Sequence, residues 1–154
     1  MFIKAFLAFL ALPGIFGILM PVALAIADPW RSKVFFVGVV VIAIGIIILI
    51  WCVRDFYISG KGTLAPWAPP KNLVIVGLYK YTRNPMYIGV LLIVGGIALF
   101  AGSPIVTGYF VLLAVGFHLR VIWREEPWLA THFGVEWMKY KESVPRWLPR
   151  ITKR

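Results

Sequence analysis

Four apolar runs, separated by two short turns and one long loop, dominate the chain. The first extends from about Ala5 to Ala27 and is long enough to cross a bilayer, with Pro13 and Pro21 predicting kinks inside it. Lys4 before it and Ala25-Ile26-Ala27 after it also fit a signal peptide with its cleavage site. The run exceeds the roughly 7–15 residues of a signal-peptide core, which favours a span. Asp28 to Lys33 is a short turn. The second run, about Val34 to Val53, contains no charge and reads as lipid-facing scaffold closed by Arg54-Asp55. The third covers about Pro85 to Ala101, and Gly102-Ser103-Pro104 turns it into the fourth, about Ile105 to Trp123, with His118 and Arg120 near its end. The pattern predicts an all-α, polytopic membrane helical bundle of about four transmembrane helices. Residues 1–154 form a single domain, with spans at about 5–27, 34–53, 85–101 and 105–123, a loop at 54–84 and a tail at 124–154.

Composition agrees. The 154 residues are 61% hydrophobic and 14% charged, which excludes an ordinary soluble domain. A net charge of +10 at pH 7 reads, in a membrane protein, as orientation and headgroup contact, and no nucleic-acid module is present. The single cysteine, Cys52, excludes an intrachain disulfide and lies in an apolar run. It reads as a buried small hydrophobe, ahead of a palmitoylation site. Lysine and arginine crowd the loop (Arg54, Lys61, Lys71, Lys80, Arg83) and the tail (Arg124, Lys139, Lys141, Arg146, Arg150, Lys153, Arg154). The first turn has only Arg31 and Lys33, offset by Asp28. That asymmetry predicts both termini, the loop and the tail on the cytoplasmic side of the cell (inner) membrane, where loop and tail can share one site.

The loop from about Phe56 to Arg83 is too apolar at Trp67 and Leu73 to Val76 to be disordered, and should pack on the bundle. It ends in Gly77-Leu-Tyr-Lys-Tyr-Thr-Arg-Asn-Pro-Met-Tyr-Ile-Gly89, denser in polar and ring residues than an anchor needs. Asn84 is placed to cap a helix that Pro85 begins, and such a helix start, with Arg83 beside it, suits a carboxylate or phosphate. The second polar segment is Glu125-Glu126-Pro127. Adjacent carboxylates at the lipid boundary require partners or a function, and Arg120 or Arg124 would serve as plain salt-bridge partners. Pro127 should kink the helix and free carbonyls near Ile122 and Trp123. Gly134 is a helix stop, Trp137 and Tyr140 share one face, and Val144 to Pro149 is extended and interfacial. His118 reads as a hydrogen-bonded bundle residue. With His132 the only other histidine, no metal site is expected. No nucleophile–base pair, phosphate-binding glycine loop or dinucleotide fingerprint occurs.

The strip from Gly77 to Gly89, with Glu125-Glu126, Phe133-Gly134…Trp137…Tyr140 and Val144-Pro145 in this order, resembles the isoprenylcysteine carboxyl methyltransferases and the related phospholipid N-methyltransferases. The resemblance covers roughly residues 60 to 150. It implies S-adenosylmethionine as methyl donor at the cytoplasmic face, with contacts at Lys71, Asn72, Leu73 and Val74, at Tyr79, at Asn84, Pro85, Met86 and Tyr87, and at Glu125. Three positions depart from the pattern. Asn84 replaces a usual histidine, Trp137 replaces a tail tyrosine, and Val121 stands where the isoprenylcysteine enzymes carry an arginine that engages substrate, with Arg120 and Arg124 on either side.

The chemistry of methyl transfer fits these residues. In-line displacement asks the protein mainly to align donor and acceptor. Asn84-Pro85 and Arg83 suit the donor's carboxylate, Glu125 its hydroxyls or amino group, and aromatic walls its sulfonium. Glu126 is the candidate base for an amine acceptor, with Arg120 and Arg124 engaging the acceptor. The basic rim of Lys71, Lys80, Arg83, Arg120 and Arg124 predicts a membrane lipid or lipophilic small-molecule acceptor, either a phospholipid amine or an isoprenylcysteine-type carboxylate. The competing readings are an NADPH-dependent reductase resembling membrane sterol reductases and a noncatalytic membrane scaffold.

Overall fold

The computed structural model describes residues 14–32, 35–60 and 71–148, and these are helical bundle and connecting turns, with no strand among the described residues. Residues 5–13 of the first expected span, residues 61–70 of the loop and residues 149–154 of the tail lie outside the described residues.

The first helix begins as a π turn, Ile15–Leu19, and continues as α1, Met20–Ala27, with Pro21 in its first turn. A π turn pairs each N–H with the carbonyl five residues back, as Met20 N–H does with Ile15. Pro21 has no N–H to offer Phe16 in that pattern. The Tyr109 hydroxyl donates to the Phe16 carbonyl instead, at 2.7 Å. The wider turn thus accommodates the missing N–H of Pro21.

Helix α2 spans Val37–Gly60. At about 36 Å it exceeds the ~30 Å hydrocarbon core. The expected closure at Arg54-Asp55 does not occur. Charged side chains do not stop a helix, and α2 runs on to Gly60, whose carbonyl accepts from Lys71 N–H (2.9 Å) and Asn72 N–H (3.4 Å). One face of α2 presents Ile44, Ile47 and Ile50 outward, as lipid contact requires. The other carries Gly38, Gly45 and Cys52 at seven-residue spacing. Helix α3, Pro85–Ala101, answers with Gly89 and Gly96, again seven apart. A methyl at Gly38 would lie 2.5 Å from the Gly96 carbonyl, and one at Gly45 would lie 2.7 Å from the Gly89 carbonyl. These glycines therefore let the two backbones touch, which is how helices associate where lipid removes the hydrophobic drive. The second run is scaffold on one side and a close-packed seam on the other.

Helix α3 ends at Gly102 in the left-handed region (φ 53°), and α4, Pro104–Arg120, starts from Ser103, which caps Val106 N–H at 3.2 Å. The core lies here, with Val94 and Val106 fully buried beside Ile93 and Ala25. Asp28 is also buried. Its carboxylate accepts from the Ser103 hydroxyl, from Trp30 N–H (2.8 Å) and from Ile105 N–H (3.2 Å). Burial works against this charge, but the three donors outweigh it and hold the carboxyl below its ordinary value. Ser32 N–H adds a bond to Gly102 O (3.1 Å), so the two turns at this end are stapled together.

Past α4 the helix widens into a second π turn, Val121–Glu125, and continues as α5, Glu126–Ser143. Glu126 N–H reaches back to Val121 O, so the turn takes up Pro127 without a break. Gly134 (φ 46°, ψ −116°) is non-helical and stops the first stretch of α5, as expected of it, and a second short helical stretch with Trp137 and Tyr140 follows to Ser143. Helix α2 and the run Pro104–Ser143, interrupted at Gly134, are long and apolar enough to cross a membrane, while Ile15–Ala27 and Pro85–Ala101 are shorter apolar helices. The chain is an integral membrane α-helical bundle.

Candidate functional site

At the end of the bundle opposite Asp28, residues 73–76 run extended between two apolar clusters. Alternation sends Leu73 and Ile75 toward Trp137, Tyr140 and Val144, and Val74 and Val76 toward Cys52 and Tyr79. Cys52 is the buried small hydrophobe expected of it. The segment then turns at Gly77 (φ 55°), where any side chain would collide with the Asp55 carboxylate, and a short 3-10 turn, Gly77–Lys80, buries Tyr79. Burial raises the Tyr79 phenol well above its usual value, which keeps it neutral. The Tyr140 hydroxyl donates to the Tyr79 carbonyl at 2.7 Å, joining α5 to this turn.

Asn84 precedes Pro85 as expected, but its side chain makes no cap hydrogen bond. Its amide donates instead to the Arg146 carbonyl at 3.1 Å. Thr82 Oγ1 donates to the same carbonyl at 3.1 Å, and Arg83 N–H donates to Pro145 O at 2.9 Å. The tail thus competes successfully for the capping side chain, and the first turn of α3 keeps unbonded N–H groups.

The adjacent carboxylates serve separate clusters, because consecutive helical residues point in different directions. Glu126 is held by Arg83 Nη1 (2.8 Å) and by a two-pronged Arg146 (Nε 2.7 Å, Nη2 2.9 Å), so both its oxygens accept. The Arg83 guanidinium is 5.4 Å from the centre of the Trp137 ring and its side chain is 8% exposed. Burial pulls its pKa down against the pull of Glu126, while the hydrogen bond to Glu126 raises that of Arg146. Arg83 Nε is buried with no hydrogen-bond partner. Glu125 turns the other way. Its Oε1 accepts from Arg120 Nε (2.8 Å) and from the Tyr87 hydroxyl, which Arg120 Nε also approaches at 3.1 Å. Glu125 Oε2 has no such partner among the described residues, and the side chain is 30% exposed. The Tyr87 ring packs tilted against Phe117, with ring centres 4.4 Å apart and planes at 34°.

Of the residues singled out from sequence, Arg83, Asn84, Tyr87, Arg120, Glu125 and Glu126 come together here. The side chains of Val74, Tyr79 and Pro85 are buried in the packing. Met86 packs against the Cys52 cluster. Lys71 and Asn72 are exposed beside the end of α2, the Asn72 amide donating to Ser59 O at 3.3 Å. Arg124 is exposed and joins neither carboxylate. Of the two salt-bridge partners considered, Arg120 pairs with Glu125, while Glu126 takes Arg83 and Arg146. His118 accepts from Trp147 Nε1 at 3.0 Å, a structural role as expected. Arg146 and Thr82 carry no motif of their own, and only the nearness of two unpaired acidic positions hints that some tail arginine is needed. A groove of about 230 Å³ runs beside Glu126, lined by Ile122, Pro127, Ala130, Trp137, Met138 and Lys141.

The phospholipid methyltransferase family profile matches residues 34–136, two thirds of the chain, which takes in Arg83 to Tyr87, Arg120, Glu125 and Glu126 but not Trp137, Tyr140 or Arg146. The chain is similar to the protein-S-isoprenylcysteine O-methyltransferase of Schizosaccharomyces pombe, 33% identical over 79 residues, 51% of this chain and 34% of that protein. It is similar also to protein-S-isoprenylcysteine O-methyltransferase A of Arabidopsis thaliana, 32% identical over 81 residues, 53% of this chain and 41% of that protein. The matched regions thus cover less than half the length of either relative. No solved structure matches the chain with significance.

Proposed function

Because the chain belongs to the phospholipid methyltransferase family, we propose that it transfers a methyl group from S-adenosylmethionine to a lipophilic or amphipathic acceptor at the polar end of the bundle. The observation that carries this reading is the division of labour between the carboxylates: Glu126 is saturated by two arginines, while Glu125 keeps an open oxygen beside the Arg83–Tyr87 strip. The residues fit the cofactor's chemistry. The orphaned Arg83 Nε and the free N–H groups that begin α3 are donors for a carboxylate, and Glu125 Oε2 is an acceptor for ribose hydroxyls or an amino group. When bound, S-adenosylmethionine would supply an electrophilic methyl on a sulfonium. Arg120, fixed by Glu125 and Tyr87, faces the acceptor side, and Arg124 and Lys141 provide a basic rim for an anionic group.

Glu126 matters for the acceptor. A carboxylate bonded to two guanidiniums is a weak base, so the site is better suited to an acceptor that needs no deprotonation. That favours a carboxylate of the isoprenylcysteine type over a protonated phospholipid amine. The site faces the cytoplasm in this reading, as the lysine and arginine distribution predicts. The test is purified protein in native lipid with radiolabelled S-adenosylmethionine. Base-labile label released as methanol marks a carboxyl ester, and base-stable label in the organic phase marks an N-methylated lipid. Binding of NADPH but not of S-adenosylhomocysteine, measured by calorimetry, would replace the methyltransferase reading with a reductase.

A further inference from the structure

We propose that Arg146 is a positioning residue, whose side chain and carbonyl together hold Thr82–Asn84 in the shape that receives the methyl donor. The inference rests on the methyltransferase reading for its ligand, but not for its geometry. Residues 144–147 have left the helix, and a chain leaving a helix at a membrane surface ordinarily gives its polar groups to water. Here they go to the site. Pro145 O takes Arg83 N–H, Arg146 O takes both Thr82 Oγ1 and Asn84 Nδ2, and the Arg146 guanidinium takes both oxygens of Glu126. Trp147 pins the far end on His118.

One residue therefore fixes the strip twice. Its carbonyl holds Thr82 and Asn84 directly, and its guanidinium orients Glu126, which in turn grips Arg83 through the shared Oε1. The two-pronged contact sets the carboxylate plane, which a single-point ammonium cannot do. Without it Glu126 is free to rotate, Arg83 slides on the Trp137 ring, and its buried, unpartnered Nε loses its fixed position.

The experiment compares wild type, R146K and R146Q in detergent or nanodiscs by amide hydrogen exchange and by calorimetry with S-adenosylhomocysteine. The expected result is faster exchange at Arg83 and its neighbours in R146Q, with the Ile93–Ile97 core unchanged. Binding weakens roughly tenfold or more, as for loss of a charged hydrogen bond. R146K, which keeps charge but not the fork, behaves like R146Q. E126Q/R146Q binds no more weakly than R146Q alone, because both changes cut the same link. Unchanged exchange at Arg83, exchange raised evenly over the bundle, or full affinity in R146K each overturns the inference. If wild type itself binds no S-adenosylhomocysteine, the methyltransferase reading fails, and the exchange arm still decides whether Arg146 shapes the strip.

Discussion

Replacing each carboxylate by its amide should produce opposite failures. Glu126 joins a side chain 8% exposed and one 29% exposed, and is itself 10% exposed. Glu126→Gln leaves two guanidiniums side by side with no anion between them. Removing one partner of a buried pair costs about 3–5 kcal/mol. The amide oxygen still accepts one bond and Arg146 is partly hydrated, so about 2 kcal/mol is the expected loss here. For a chain of this size that is roughly 4–8 °C in melting temperature. Glu125→Gln breaks a pair whose side chains are 49% and 30% exposed, worth about 0–1 kcal/mol. Its stability should hardly change. Its affinity for S-adenosylhomocysteine should fall roughly tenfold or more if Glu125 Oε2 accepts from the cofactor. The assay is thermal unfolding in detergent, followed by tryptophan fluorescence, alongside calorimetry on the same preparations. Equal melting shifts in the two variants would refute the assignment of Glu126 as the anchor. Full affinity in a folded Glu125→Gln protein would return Glu125 to a surface salt bridge.

The other predictions are simpler. Gly45→Ala should cost about 1–3 kcal/mol by forcing α2 from α3, whereas Gly108→Ala, where a methyl meets nothing within 4 Å, should be tolerated; melting temperatures of the two decide it. Asp28 has a lowered folded-state pKa, so its contribution is complete above the unfolded value of about 3.8 and is lost as pH falls through the lower folded value. The melting difference between wild type and Asp28→Asn should therefore shrink in acid below about pH 4, and a difference constant down to pH 2 would contradict it. A reporter active only in the cytoplasm should work at Arg154 and fail at Ser103; the reverse would invert the topology.

The helices were legible in the sequence because lipid demands long apolar runs, and the turn at Gly102-Ser103-Pro104 because its residue types leave few conformations. The strip and the acidic pair were legible as chemistry out of place at membrane depth. What sequence could not supply was pairing across distance. Arg146 lies 20 residues from Glu126 and reads only as one more basic tail residue. Asn84 has the local pattern of a cap, and only the folded tail turns its side chain away, by accepting its amide N–H at the Arg146 carbonyl. Helix α2 passes Arg54-Asp55 because a charge pair signals a lipid boundary, not a helix end. Asp28 looks like a solvated turn residue until Ser103 and Ile105 arrive from the next hairpin to bury it.

That buried aspartate has a mechanical consequence. The two turns at its end are clamped to each other, and the glycine seam prevents α2 and α3 from sliding. Among the described residues, the opposite end is joined by side-chain bonds to residues 144–147, by the Arg83–Pro145 backbone bond and by two small apolar clusters. A molecule fastened at one leaflet and laced at the other behaves like a clothes-peg. Any loosening therefore falls on the polar end, where the site lies, while the end around Asp28 keeps its register.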